Sequence, residues 1–171
     1  MPTPDYALTM ARYNRWQNEN LVSAASLLSQ GERQKDRGAF FGSIEKTFSH
    51  IYWADQIWLG RFAETPLPGG GIKDSVELIT VWDAFVEQRA AFDHGILAWA
   101  KGVEAEWFAG DLVWYSGAMA KHMRKSKTLL CVHFFNHQTH HRGQIHSMLT
   151  AAGVKPGASD LAFMPEPFLE M

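Results

Sequence analysis

Residues 128–152 carry an apolar period that fits one long helix, and Gly153 stands where such a helix would stop. Within that run, Phe134-Phe135-Asn136-His137-Gln138-Thr139-His140-His141-Arg142-Gly143-Gln144 follows His133, so four histidines fall within nine positions. On a helix advancing about 100° per residue, Leu130, Phe134, Ile145 and Met148 cluster on one arc, with His137 and His141 in or beside it. Residues four apart stand one above the other, so His137 and His141 can point two imidazoles at one metal ion. His133 and His140 fall towards the edge of the arc, and His146 points roughly the opposite way. A core-facing imidazole needs a partner for its nitrogens. A buried carbonyl or carboxylate would satisfy each ring separately. A shared ion satisfies both, and the paired spacing favours it.

The rest of the chain reads as helices around that one. Thr3-Pro4-Asp5 starts a helix that Leu8, Ala11, Trp16, Leu21 and Ala25 carry to about Ser29. Gln30 to Gly38 reads as a polar connection. Ser43, or a point one turn earlier near Phe40, opens a second helix through Phe48, Ile51, Trp58 and Phe62, which Pro66 stops. Pro66-Leu67-Pro68-Gly69-Gly70-Gly71 is a loop. A third helix is expected from about Ser75 to Ala100, ending near Gly102. Residues 107–124 lack helical period, and two short strands around Ser116-Gly117 are expected there. The Pro- and Gly-rich tail after Gly153 is expected to be irregular. Together these elements predict an all-α chain, a four-helix bundle with a strand pair or irregular insertion between its third and fourth helices.

At 171 residues the chain is expected to form one domain with a substantial core. A net charge of -2 gives no reason to expect nucleic acid or an anionic membrane as partner. No apolar run approaches the length needed to span a bilayer. The N-terminus lacks the basic and apolar regions of a signal peptide. The single cysteine, Cys131, excludes an internal disulfide framework and suits a reducing cytoplasm. Seven Trp and eleven Phe imply a bulky aromatic core or pocket lining, with Trp53, Trp58, Trp82 and Trp114 expected in core or dimer contacts.

Two imidazoles do not complete a metal site. His50 shares an arc of the second helix with Thr47, Ile51, Ala54, Ile57 and Trp58, so it also faces inward. Three neutral histidines with an open fourth position match a catalytic metal more than a closed structural one. Taken alone, His50 could equally be a core histidine bonded to a neighbouring helix.

Four stretches resemble the DinB family. They are Asn136-His137-Gln138-Thr139-His140-His141-Arg142-Gly143-Gln144, Ser49-His50-Ile51 followed by Ala54-Asp55 and Ile57-Trp58, Ala11-Arg12-Tyr13-Asn14-Arg15-Trp16-Gln17-Asn18-Glu19, and Ala152-Gly153-Val154-Lys155-Pro156-Gly157. The resemblance implies a four-helix bundle of unusual connectivity, often dimeric, with a divalent metal, commonly nickel or zinc, on three histidines. Carried over residue by residue, these are His50, His137 and His141. It also implies an activity of the kind found in thiol-dependent S-transferases and isomerases, which use a low-molecular-weight thiol. The fold relationship defines the site better than the reaction.

Neighbouring polar groups have narrower expected roles. Asn136, Thr139 and Gln144 can orient the ligand histidines. Arg142, outside the core arc, is expected to pair with an acid, with an anionic substrate group as the alternative, and Asp55 to bond across helices, with accepting a ligand N–H or adding an oxygen ligand as the alternative. His133 and His140 are expected at the surface, with a general-base role as the alternative. Cys131 is expected to be buried and inert. Two classes of function remain: a metal-dependent transferase or hydrolase in which the ion activates a thiol or water, and a non-catalytic dimeric metal-binding or stress-response module.

Overall fold

The computed structural model describes residues 1–170, which are mostly helical with one small sheet. Helix α1 spans Pro4–Ser26, α2 Gln30–Gln34, α3 Ile44–Ala63, α4 Trp82–Gly102, α5 Ala105–Phe108, α6 Lys127–Ala151 and α7 Glu166–Leu169. Strands β1 (Asp111–Ser116) and β2 (Lys121–Ser126) form an antiparallel hairpin before α6. No described helix is long and apolar enough to cross a membrane.

Local chemistry explains the boundaries. Thr3, Ser43 and Ser126 each cap a helix, their hydroxyls accepting from the backbone N–H of Tyr6, Lys46 and Leu129. At the far end of α6, Gly153 takes φ 82°, its N–H bonds the Thr150 carbonyl and that of Val154 bonds the Leu149 carbonyl. This paired closure satisfies the last carbonyls and tucks Val154 against the core.

Three boundaries depart from the sequence reading. Gln30 to Gly38 contains the short α2, started by the Ser29 hydroxyl. The third long helix begins at Trp82, not near Ser75. Ser49 on α3 donates to the Ser75 carbonyl and accepts from the Leu78 N–H, which holds residues 74–77 as a separate 3-10 turn. The tail after Gly153 is not wholly irregular, since it holds a 3-10 turn at Leu161–Phe163 and the one-turn α7.

Helix α1 packs on α4 and α6, and α3 packs on α6. Their apolar faces make two clusters at opposite ends. One gathers Ala7, Ala11, Phe62, Ile96, Phe134 and Phe135, with Trp58 and Trp114 packed beside it. The other gathers Leu21, Ile44, Phe48, Trp82, Ile145 and Leu149. A buried polar layer joins the four long helices. Arg89 on α4 donates to Asp55 on α3 at 2.8 Å and to Asp93 at 2.7 Å. Asn14 and Asn18 on α1 donate to Asp93, and Gln138 on α6 donates to Asp55 at 2.9 Å. Arg142 reaches the layer through Asn14. It is buried, contrary to its expected place outside the core, and it is held by Asn14 instead of an acid.

Candidate metal centre

Helices α3 and α6 bring His50, His137 and His141 together, with one ligand atom of each within 4.8 Å of the others. His50 and His141 are buried and His137 is half-buried. The Nε2 atoms of His50 and His137 lie 3.3 Å apart. Nitrogens about 2.0–2.1 Å from a tetrahedral ion stand about 3.3–3.4 Å from one another, so this pair already has the spacing of two ligands.

The surrounding bonds set which nitrogens are free. The Ser75 hydroxyl donates to the Ile72 carbonyl at 2.6 Å, so its oxygen accepts from His50 Nδ1–H at 2.8 Å. His50 Nε2 is thereby left with its lone pair facing His137. Likewise, the Gln144 amide nitrogen faces His140 Nε2, and Gln144 Oε1 accepts from His141 Nδ1–H at 2.8 Å. That leaves His141 Nε2 as an acceptor. Such bonds to the non-ligating nitrogen orient an imidazole for coordination.

Electrostatics favour the same state. Burial, then the neighbouring imidazoles, brings His137 down to about 3. Burial, then His141, brings His50 down to about 4, and burial lowers His141 as well. Neutral imidazole is the metal-binding form, so three close histidines kept neutral near pH 7 fit a divalent cation.

A roof covers part of the cluster. The Phe41 ring stacks on His50 with centroids 4.0 Å apart and lies 5.4 Å from His141. It hangs from a tight loop in which Arg37 N–H bonds the Gly42 carbonyl and Gly42 N–H bonds the Ala39 carbonyl. Gly38 and Gly42 both take positive φ there, 77° and 78°, a conformation that glycine adopts without strain. Trp53 flanks His50 at 6.2 Å and donates to the Gly69 carbonyl.

The remaining candidates sort by position. Gln144 orients His141 as expected. Thr139 does not serve the ligands: its hydroxyl donates to the Phe135 carbonyl and accepts from Arg142. Asn136 is exposed. His133 is exposed and packs its ring edge on Trp58, and His140 is exposed beside Gln144. Asp55 bonds across helices to Arg89 and Gln138, and is no part of the cluster. Cys131 is buried and its thiol is pushed up to about 12, which keeps it unreactive. Ser75 and Phe41 carried no sequence signal, because each meets His50 only through folding; a serine and a phenylalanine in loops look like any others.

The family model described as "DinB family" matches residues 1–167. Among curated proteins, the chain is similar to "Protein DinB" of Bacillus subtilis (strain 168), at 22% identity over 157 residues and 91% of each chain. No solved structure matches. The family match takes in both helices that bring the three histidines together, and the chain belongs to the DinB family.

Proposed function

We propose that the protein is a metal-dependent enzyme of the thiol S-transferase kind, with His50, His137 and His141 holding one divalent ion, nickel or zinc. The observation that carries this reading is the set of three neutral imidazoles with one ring nitrogen of each within 4.8 Å of the others, two of them bonded at Nδ1 to Ser75 and Gln144. Bound there, such an ion supplies Lewis acidity that lowers the pKa of a coordinated thiol or water. The chain's own residues do the rest: Ser75 and Gln144 hold the ligand rings, while Phe41 and Trp53 keep apolar surface beside the site, which strengthens electrostatic interactions there. Three protein ligands leave a coordination position for a low-molecular-weight thiol or water, which distinguishes catalytic from closed structural sites. If water takes that position, the protein is a hydrolase.

We read the four long helices as the DinB-type four-helix bundle in one domain, supported by the packing of α1 on α4 and α6 and of α3 on α6. We also take the working form to be a cytoplasmic homodimer acting on a small molecule. The family resemblance supports the dimer, and the lone unpaired Cys131 suits a reducing compartment. Elemental analysis of untagged protein beside His137→Ala tests the centre. Near-stoichiometric metal that the variant loses supports it, and assays for thiol transfer and hydrolysis with that ion then separate the two chemistries. Metal absent from both, even after zinc or nickel is added, would leave a non-catalytic binding module.

A further inference from the structure

On the side of α6 turned away from the histidine cluster, a cavity of about 240 Å³ opens between α1, α6 and the chain after Gly153. Tyr13, Gln17, Thr139, Arg142, Gly143 and His146 form much of its wall. The tail is strapped across it: Tyr13 Oη donates to the Ser159 carbonyl at 2.7 Å, and Gln17 Nε2 to the Ala158 carbonyl at 3.0 Å.

Two features of this wall stand out. Arg142 is only 4% exposed, yet among the described residues its guanidinium touches no carboxylate. It donates to Asn14 Oδ1 and, at a long 3.4 Å, to Thr139 Oγ1, and lies 5.5 Å over the Tyr13 ring, all neutral partners. The other buried arginine of the polar layer, Arg89, is gripped by two carboxylates. A guanidinium carries five donors in a flat fork that matches a carboxylate or phosphate. The second feature is Gly143, which lies well inside α6, where glycine weakens a helix relative to alanine. A Cβ there would meet nothing within 4 Å, so no neighbour forbids a side chain. Its absence keeps the cavity open beside Arg142.

We propose that this cavity binds the oxyanion of a small molecule, a carboxylate or a phosphate, with Arg142 as the principal cation and His146 as a second donor. The site faces away from the histidine cluster and does not depend on the metal reading.

Full-length protein as purified, titrated at constant ionic strength with inorganic phosphate and separately with acetate, gives the test. The amide NMR signals of Tyr13, Gln17 and Ser159, on elements away from the histidines, report binding. Saturable shifts with an apparent Kd below about 10 mM, weakened about tenfold or more by Gly143→Leu, are expected. The anion that saturates at the lower concentration identifies the class. His146→Ala, at a half-buried position, carries the same test should Gly143→Leu perturb folding, with a weakening of about threefold or more. Shifts that fail to saturate with either anion, or that are unchanged in both variants, would overturn the proposal.

Discussion

At the scale of single residues, two bonds to non-ligating nitrogens shape the histidine cluster. Ser75→Ala removes the acceptor that orients His50, and metal affinity is expected to fall about 10- to 100-fold, measured by competition with a chromogenic chelator. Unchanged affinity would show that packing under Phe41 alone fixes the ring. The histidines also predict a pH dependence in the metal-free protein. Folded His50 and His137 titrate near 4 and 3, while in the unfolded chain they titrate near 6.5. Between those values the unfolded state binds more protons, so this contribution to stability is full above about 6.5 and is lost as the pH falls towards 4. Buried Asp93, raised to about 6 by desolvation against the pull of Arg89, works in the opposite direction over part of that window. The difference between wild type and His137→Phe in urea titrations isolates the part that His137 contributes, and the wild type is expected to show the steeper loss on acidification.

At the scale of elements, three of the four long helices begin where a serine or threonine caps them, while α4 starts after Val81 with no side-chain cap. Ser43→Ala strips the cap from α3, the helix that carries His50, and is expected to cost about 1 kcal/mol. For a chain of this size that corresponds to a fall of about 2–4 °C in thermal midpoint. An unchanged midpoint would mean that the contacts of α3 with α6 hold its first turn without the cap. The start of α4 shows the limit of local signals. Residues after Ser75 carry enough apolar spacing to suggest a helix, but Ser49 captures the Ser75 carbonyl and the Leu78 N–H from another element. That same diversion places Ser75 against His50, so a misjudged boundary concealed part of the site.

At the scale of the molecule, two apolar clusters flank a layer that contains two buried aspartates and two buried arginines. Arg89 lies between Asp55 and Asp93, and Arg89→Met leaves two carboxylates buried without their shared partner. A loss of about 3–5 kcal/mol is expected, read from the urea midpoint. A loss under about 1 kcal/mol would mean that both acids take up protons and hydrogen-bond as neutral groups. Because Gln138 and Arg142 alternate with His137 and His141 along α6, the same helix supports the polar layer on one side and the histidine cluster on another.

Periodicity and local stop signals by themselves specified the four long helices apart from the start of α4, the hairpin before α6 and the inward face shared by His137 and His141. These depend on residues close in the chain, where a 3.6-residue repeat, a capping hydroxyl or a glycine stop acts locally. The wheel of α3 also turned His50 inward. Only the tertiary structure brought its Nε2 against that of His137 across 87 positions, because no local repeat encodes the rotation of one helix against another. It alone decided that Arg142 is buried, that Ser75 holds His50 and that Phe41 covers the cluster. The spacing of α3 pointed Asp55 across helices but could not name Arg89 and Gln138 as its partners, nor Asn14 as the partner of Arg142, because folding alone assembles groups from different helices.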